Sequence, residues 1–227
     1  MTHSFEHELD RLKQRLLTMG SHAEAAVSRA VKALLERDDR HARQVKEYDR
    51  ILDELEMEVD EQAVALLAKA PLATDLRLIT VAMKISQNLE RVGDEATTIA
   101  RRALALNALA QVEPTVDLPS LTAKSLAMLK DALSAFLNRD AAQALAVVPR
   151  DKEVDALNRQ IQRELTEHMV ADREAIPRCL HLMVVSKSLE RIADHATNIA
   201  EEAVFLFEGR DVRHSLKSAP DSQPPAL

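Results

Sequence analysis

The sequence predicts an all-α protein of two tandem, pseudo-symmetric three-helix bundles, six helices in all. Three observations predict it. Among 227 residues there are only three Gly, no Trp, four Phe and one Tyr, while Ala, Leu, Glu and Arg abound, a composition that favours helix over strand and turn. Apolar residues recur at spacings of three and four, the period of a helix with one buried face. The second half also repeats the first. A shift of 100 residues lays Met83, Ser86, Leu89, Glu90, Arg91, Asp94, Ala96, Thr97, Ile99 and Ala100 on identical residues from Met183 to Ala200. Periodicity at that scale marks two copies of a whole supersecondary unit.

The first stripe, Leu9, Leu12, Leu16, Met19, Ala23, Val27, Ala30 and Leu34, predicts a helix from about Ser4 to about Glu36, with Arg37 to Arg40 as a charged connection. Tyr48, Leu52, Leu55, Val59, Ala63 and Leu66 predict a second from about His41 to Lys69, ended near Pro71 by the missing N–H and the ring. The third runs from Leu78 to Leu106, and short links make the three antiparallel neighbours. From Ala110 to Pro119 the periodicity stops, and Ser120 stands where an N-cap is expected. The second half then predicts helices over about Ser120 to Leu137, Asp140 to Ala171 with a bend near Pro149, and Ala175 to Phe207, with Gly209 as the stop. The organisation expected is a first bundle over 1–109, a linker over 110–119, a second bundle over 120–214, and a Pro-, Ser- and Ala-rich tail over 215–227 too poor in apolar periodicity to order itself.

An apolar share of 46% suffices for a core, and a formal net charge of −7 argues against a nucleic-acid partner, because such affinity rests on neutralising phosphates. The single Cys179 reads as a small helix-packing residue and fits a reducing compartment. The first ten residues carry charge and no apolar signal core, and no stretch approaches the roughly 20 apolar residues that span a bilayer. A cytoplasmic protein without direct membrane insertion is expected.

A shared core stripe explains Leu89 with Leu189; it does not explain why the polar Glu90, Arg91 and Asp94 recur as Glu190, Arg191 and Asp194. A second acidic pair recurs at a shift of 102, Asp49 and Asp53 matching Asp151 and Asp155. Within each pair the acids are four residues apart, on one helix face beside the apolar stripe. Like charges so placed repel, and a hard divalent or trivalent cation with oxygen ligands offsets that repulsion; helix bundles host such sites. The candidate ligands are Asp49, Asp53, Glu90, Asp94, Asp151, Asp155, Glu190 and Asp194. His195 is a further candidate in the second half, where Glu95 is its counterpart. The competing reading places the acids on solvated faces, paired with Arg or Lys. A carboxylate-bridged metalloenzyme and a metal-free scaffold are the other functional classes. No histidine follows a Glu by three residues, as a ferritin-like redox site requires, and no phosphate loop, nucleophile elbow or zinc signature occurs. Gly93, opposite Ala193 in the repeat, marks a place where a helix or an ion comes close, or else is a neutral helix glycine.

Pro71, Asp75, Leu76 and Arg77, the runs Leu89–Asp94 and Leu189–His195, and the end Gly209–His214 resemble the repeated signature of the PhoU family, over about His3 to His214. The resemblance implies a symmetric pair of three-helix bundles whose E(D)xxxD motifs bind multinuclear metal clusters, of iron in some members and magnesium, manganese or other ions elsewhere. It also implies a non-enzymatic, often dimeric negative regulator of phosphate-starvation signalling. Such a regulator links the PstSCAB phosphate transporter, through its ATPase PstB, to the sensor kinase PhoR. Pro149, just ahead of Asp151, leaves the geometry of the second site open.

Overall fold

The structure, a computed structural model, describes residues 2–70, 72–109 and 116–212, and all regular elements among them are helical. The expectations placed on Pro71, on 110–115 and on the tail 215–227 lie outside the described residues. Helix α1 spans Thr2–Leu35, α2 Asp39–Leu67 and α3 Ala73–Asn107. In the second half α4 spans Leu118–Asn138, α5 Ala141–Val147, α6 Asp151–Ala171 and α7 Ile176–Glu208. The expected fifth helix is thus two helices, α5 and α6, joined by a 3-10 turn at Val148–Arg150. Pro149 cannot donate to the carbonyl four residues back, and its ring crowds that turn. Both pieces keep their apolar sides in the core, through Ala144 and Val147 on α5 and Val154, Ile161 and Leu165 on α6.

Capping explains the other departures. The α2 helix begins two residues before His41 because the Asp38 side chain accepts from Arg40 N, and Arg37 turns the chain with a left-handed φ of 53°. Ser120 is not an N-cap: Asp117 holds that role, its carboxylate accepting from Ser120 N at 3.1 Å, and Pro119 sits in the first turn, where no N–H is needed. Gly209 does stop α7, at φ 67°, with its N–H bonded to Phe205 O at 3.0 Å.

Helices α1, α2 and α3 pack on one another, as do α4, α5, α6 and α7, and α3 lies along α7. The cross-contacts Lys84–Glu202, Glu95–Arg191 and Arg102–His181 run in opposite order along the two helices, so α3 and α7 are antiparallel. They are the two copies of the repeated helix, related by a local twofold near Gly93 and Ala193.

A methyl at Gly93 would stand 2.6 Å from Leu52 Cδ1, so the close approach is that of α2. The repeat places Val154 opposite Leu52 and Ala193 opposite Gly93. One half uses a large residue against none, the other a smaller one against a methyl, and the filled volume is similar. Gly93→Ala should therefore lose up to about 2 kcal/mol in urea melts, the cost of shifting the buried Leu52 methyl being about 1–3 kcal/mol and the gain in helix propensity about 1 kcal/mol. Combined with Leu52→Val, the loss should be smaller than the sum of the two single losses; additive losses would show that the two positions do not share one packing space.

Candidate functional site

Asp49 and Asp53 lie one turn apart on α2, Glu90 and Asp94 one turn apart on α3, all beside the stripe that joins the helices. Asp49 and Glu90 are half-buried; Asp53 and Asp94 are exposed. Burial, then repulsion by Asp94, pushes the Glu90 carboxyl up to about 7 despite Arg91, and Asp53 is raised by burial and then by Asp49 and Asp94. The two pairs thus feel one another across the helices. Glu56, one turn beyond Asp53, joins them and is raised by burial and by neighbouring acids including Asp60, Asp53 and Asp94.

The second half repeats this with less solvent. Asp151 and Asp155 on α6 are half-buried, Asp194 on α7 likewise, and Glu190 is buried. Burial and then Glu190 and Asp151 push Asp194 up to about 6. A repeated hydroxyl positions the first acid of each set: Thr97 Oγ1 donates to Asp49 Oδ1 at 3.1 Å, and Thr197 Oγ1 to Asp151 Oδ1 at 3.4 Å. The second set also borders a cavity of about 670 Å³, beside the Pro149 turn, whose lining includes Asp151, Asp155, Thr197 and the buried Glu201.

The eight predicted carboxylates therefore gather into two sets of four. Their all-oxygen donor chemistry and their mutual repulsion fit a hard cation. Yet among the described residues no three His, Cys, Asp or Glu groups stand close enough together to hold a metal ion. Basic side chains take up part of the charge. Arg91 Nε lies 3.3 Å from Glu90 Oε2, and its terminal nitrogen donates to Asp94 at 2.9 Å. Arg159 lies 3.7 Å from Asp155, and Lys187 Nζ approaches Glu190 Oε2 to 2.5 Å as an ion pair without an aligned hydrogen bond.

His195 points elsewhere. Its Nδ1 lies 2.9 Å from Oδ1 of Asn88 on α3, and the Asn88 amide is oriented by its own bond to Lys84 O, so the imidazole donates from Nδ1. Burial first lowers its pKa. Cys179 is buried, and its thiol is pushed up by that burial, as a packing residue's would be.

Glu56, Thr97, Thr197 and Glu201 escaped the sequence reading. The threonines were visible as repeated polar residues, but only their contact with Asp49 and Asp151 gives them a part. Glu56 and Glu201 face Asn158 and Arg101 in the repeat, so they carry no repeat signal.

Fold and site together define a class: a duplicated three-helix-bundle protein whose two central helices each flank an acidic cluster. The PhoU domain pattern matches the chain twice, at residues 16–103 and 118–203. The chain is 41% identical over 216 residues to the phosphate-specific transport system accessory protein PhoU homolog of Pseudomonas putida, covering 94% of this chain and 84% of that one. The crystal structure of PhoU from Pseudomonas aeruginosa superposes with a TM-score of 0.88 at 40% identity, over 91% of this chain and all of that one. That of the phosphate transport system regulatory protein PhoU from Streptococcus pneumoniae gives 0.84 at 29% identity, over 92% and 99%. The chain belongs to the PhoU family.

Glu90 offers a direct readout of this electrostatic arrangement. Between its ordinary pKa of 4.5 and about 7, the folded protein holds a proton that the unfolded chain has released, so the relative stabilisation is full below that window and is lost as pH rises through it. In chelator, Glu90→Gln should flatten the fall in Tm between about pH 5 and 7 and leave the variant more stable than wild type near pH 8, by roughly 2–4 °C if about 1 kcal/mol survives solvent screening. Parallel pH profiles for the two proteins would show that Glu90 is an ordinary solvated acid.

Proposed function

We propose that this chain is a cytoplasmic, metal-binding regulatory adaptor, not an enzyme, that restrains phosphate uptake and phosphate-starvation signalling. The observation that carries the reading is near-full-length similarity to proteins named as accessory to, or regulators of, phosphate-specific transport. In this reading it works as a homodimer and links PstB, the ATPase of the PstSCAB transporter, to the sensor kinase PhoR. Among the described residues no helix is long and apolar enough to cross a membrane. Exposed Met57 and Val64, two turns apart on α2, supply apolar surface for a partner.

The cation sites belong to the same proposal. Asp49, Asp53, Glu90 and Asp94 would hold one ion or cluster, and Asp151, Asp155, Glu190 and Asp194 the other, with iron, magnesium or manganese as candidates. Binding would require Arg91 and Lys187 to yield their acids to the cation and the acids of each set to draw closer together. A bound cation would supply fixed positive charge between α2 and α3 and between α6 and α7, and so tie each helix pair together. This chain's own residues orient the acids through Thr97 and Thr197 and carry the Arg and Lys that balance the charge without metal.

Deletion of the gene should leave phosphate-starvation genes expressed in phosphate-rich medium, read by a reporter fused to one of their promoters. Wild-type protein should restore repression, and a stable variant carrying Glu90→Gln, Asp94→Asn, Glu190→Gln and Asp194→Asn should not. Unchanged repression in the deletion strain would contradict the regulatory reading. Full complementation by the variant would contradict the role given to the acids.

A further inference from the structure

The acids are not the only features that the duplication copied. Glu56, Gln87 and Arg91 line a cleft of about 280 Å³ on the first half. The repeat carries these positions to Asn158, Lys187 and Arg191, and these line a cleft of about 450 Å³ between α6, α7 and α3. The charge has inverted between the copies. The first cleft sets Glu56 and Glu90 against Arg91, whereas the second sets Lys187 and Arg191 against Glu95. The first is also bridged across the α3–α7 seam, where Asn88 Oδ1 accepts from Asn198 at 3.2 Å and meets His195 at 2.9 Å.

The second cleft has three further properties. Its two cations are each about half exposed and each has an acid partner, Lys187 with Glu190 and Arg191 with Glu95 at 3.2 Å. An ammonium carries three donors and a guanidinium five, so both retain donors for an incoming anion. Met183 and Val184 provide apolar surface. Asn158, only 8% exposed, lines the cleft with a buried Oδ1 that accepts no hydrogen bond among the described residues. The volume falls within the range of small-molecule pockets.

We propose that this second cleft binds a small organic anion. Its acid group meets Lys187 and Arg191, a flat apolar body lies on Met183 and Val184, and an N–H donates to Asn158 Oδ1, which must turn out of its buried position to accept it. Nucleoside monophosphates carry all three groups and are the class assigned. The site adjoins the second acidic set through Lys187, which pairs with Glu190, and its occupant would touch α3 of one half and α6 and α7 of the other.

Calorimetric titration of the full chain with AMP, GMP, CMP and UMP, and with adenosine and inorganic phosphate, tests the assignment. At least one nucleotide should bind saturably, with a Kd on the order of 100 μM or tighter, and at least tenfold more tightly than adenosine or phosphate. Lys187→Gln should weaken that binding about tenfold, as should Asn158→Glu, which restores the first half's residue, each in protein shown by circular dichroism to be folded. Gln87→Ala in the first cleft should leave it unchanged. Failure of all four nucleotides to bind, phosphate or adenosine binding as tightly as the nucleotide, or undiminished binding by Lys187→Gln would each overturn the proposal.

Discussion

The fold depends on one contact, the antiparallel packing of α3 along α7. Both helices also build the core with the rest of their bundles, where Ile85, Leu89, Val92, Ala96 and Ile99 on α3 and Val185, Leu189, Ile192, Ala196 and Ile199 on α7 are all fully buried. Each large member contributes on the order of 1.5–3 kcal/mol of transfer free energy before the entropy of ordering is set against it. Each helix is also the third member of its own bundle, so little of its circumference is left for polar groups. Those that remain lie along the α3–α7 seam and at the edges where α3 meets α2 and α7 meets α6, and the acidic sets occupy these edges. A carboxylate there is close enough to the core to lose water and close enough to its neighbours to be repelled. Glu90 and Asp194 show this in their raised pKa values.

The same seam shows how two copies of one helix diverge once joined. Glu95 reaches Arg191 across it, whereas the corresponding place in the other half holds His195, which bonds to Asn88 instead of pairing with Arg91. Arg101 and Arg102 on α3 correspond to the buried Glu201 and Glu202 on α7, and Glu202 is held by Lys84 at 3.0 Å. The second half therefore carries more buried acid than the first, and its acidic set borders the larger cavity. A strict twofold has become two unlike sites on one frame.

Much of this was legible in the residues. The helical period and the 100-residue repeat are local or pairwise properties of the string, so the helices, their pairing and the two sets of four acids could be read directly. Pro149 announced a break because its covalent structure forbids the continuous helix. Asp117 displaced Ser120 as the cap because both suit that position and only the backbone path chooses between them. The contacts of Asn158, Glu201 and His195 were not legible. Each lies outside the repeat's matching pairs, and its surroundings are set by a helix distant in sequence. Arg91 and Lys187 neutralise the acids beside them, the kind of pairing with Arg or Lys that the competing reading expected, though not on fully solvated faces.

On the proposed reading, the clustered carboxylates are cation sites held in a repelled state by the fold. Thermal unfolding in chelator and in saturating Mg²⁺, Mn²⁺ or Fe²⁺ tests it most directly. A cation that binds only the folded chain at about 100 times its Kd adds about 2.7 kcal/mol per site, or roughly 5–10 °C in Tm for a protein of this size. The account predicts such a rise for wild type with at least one of the three ions, and its loss when Glu90, Asp94, Glu190 and Asp194 are replaced by their amides. A wild-type Tm that is the same in chelator and in all three ions would contradict it.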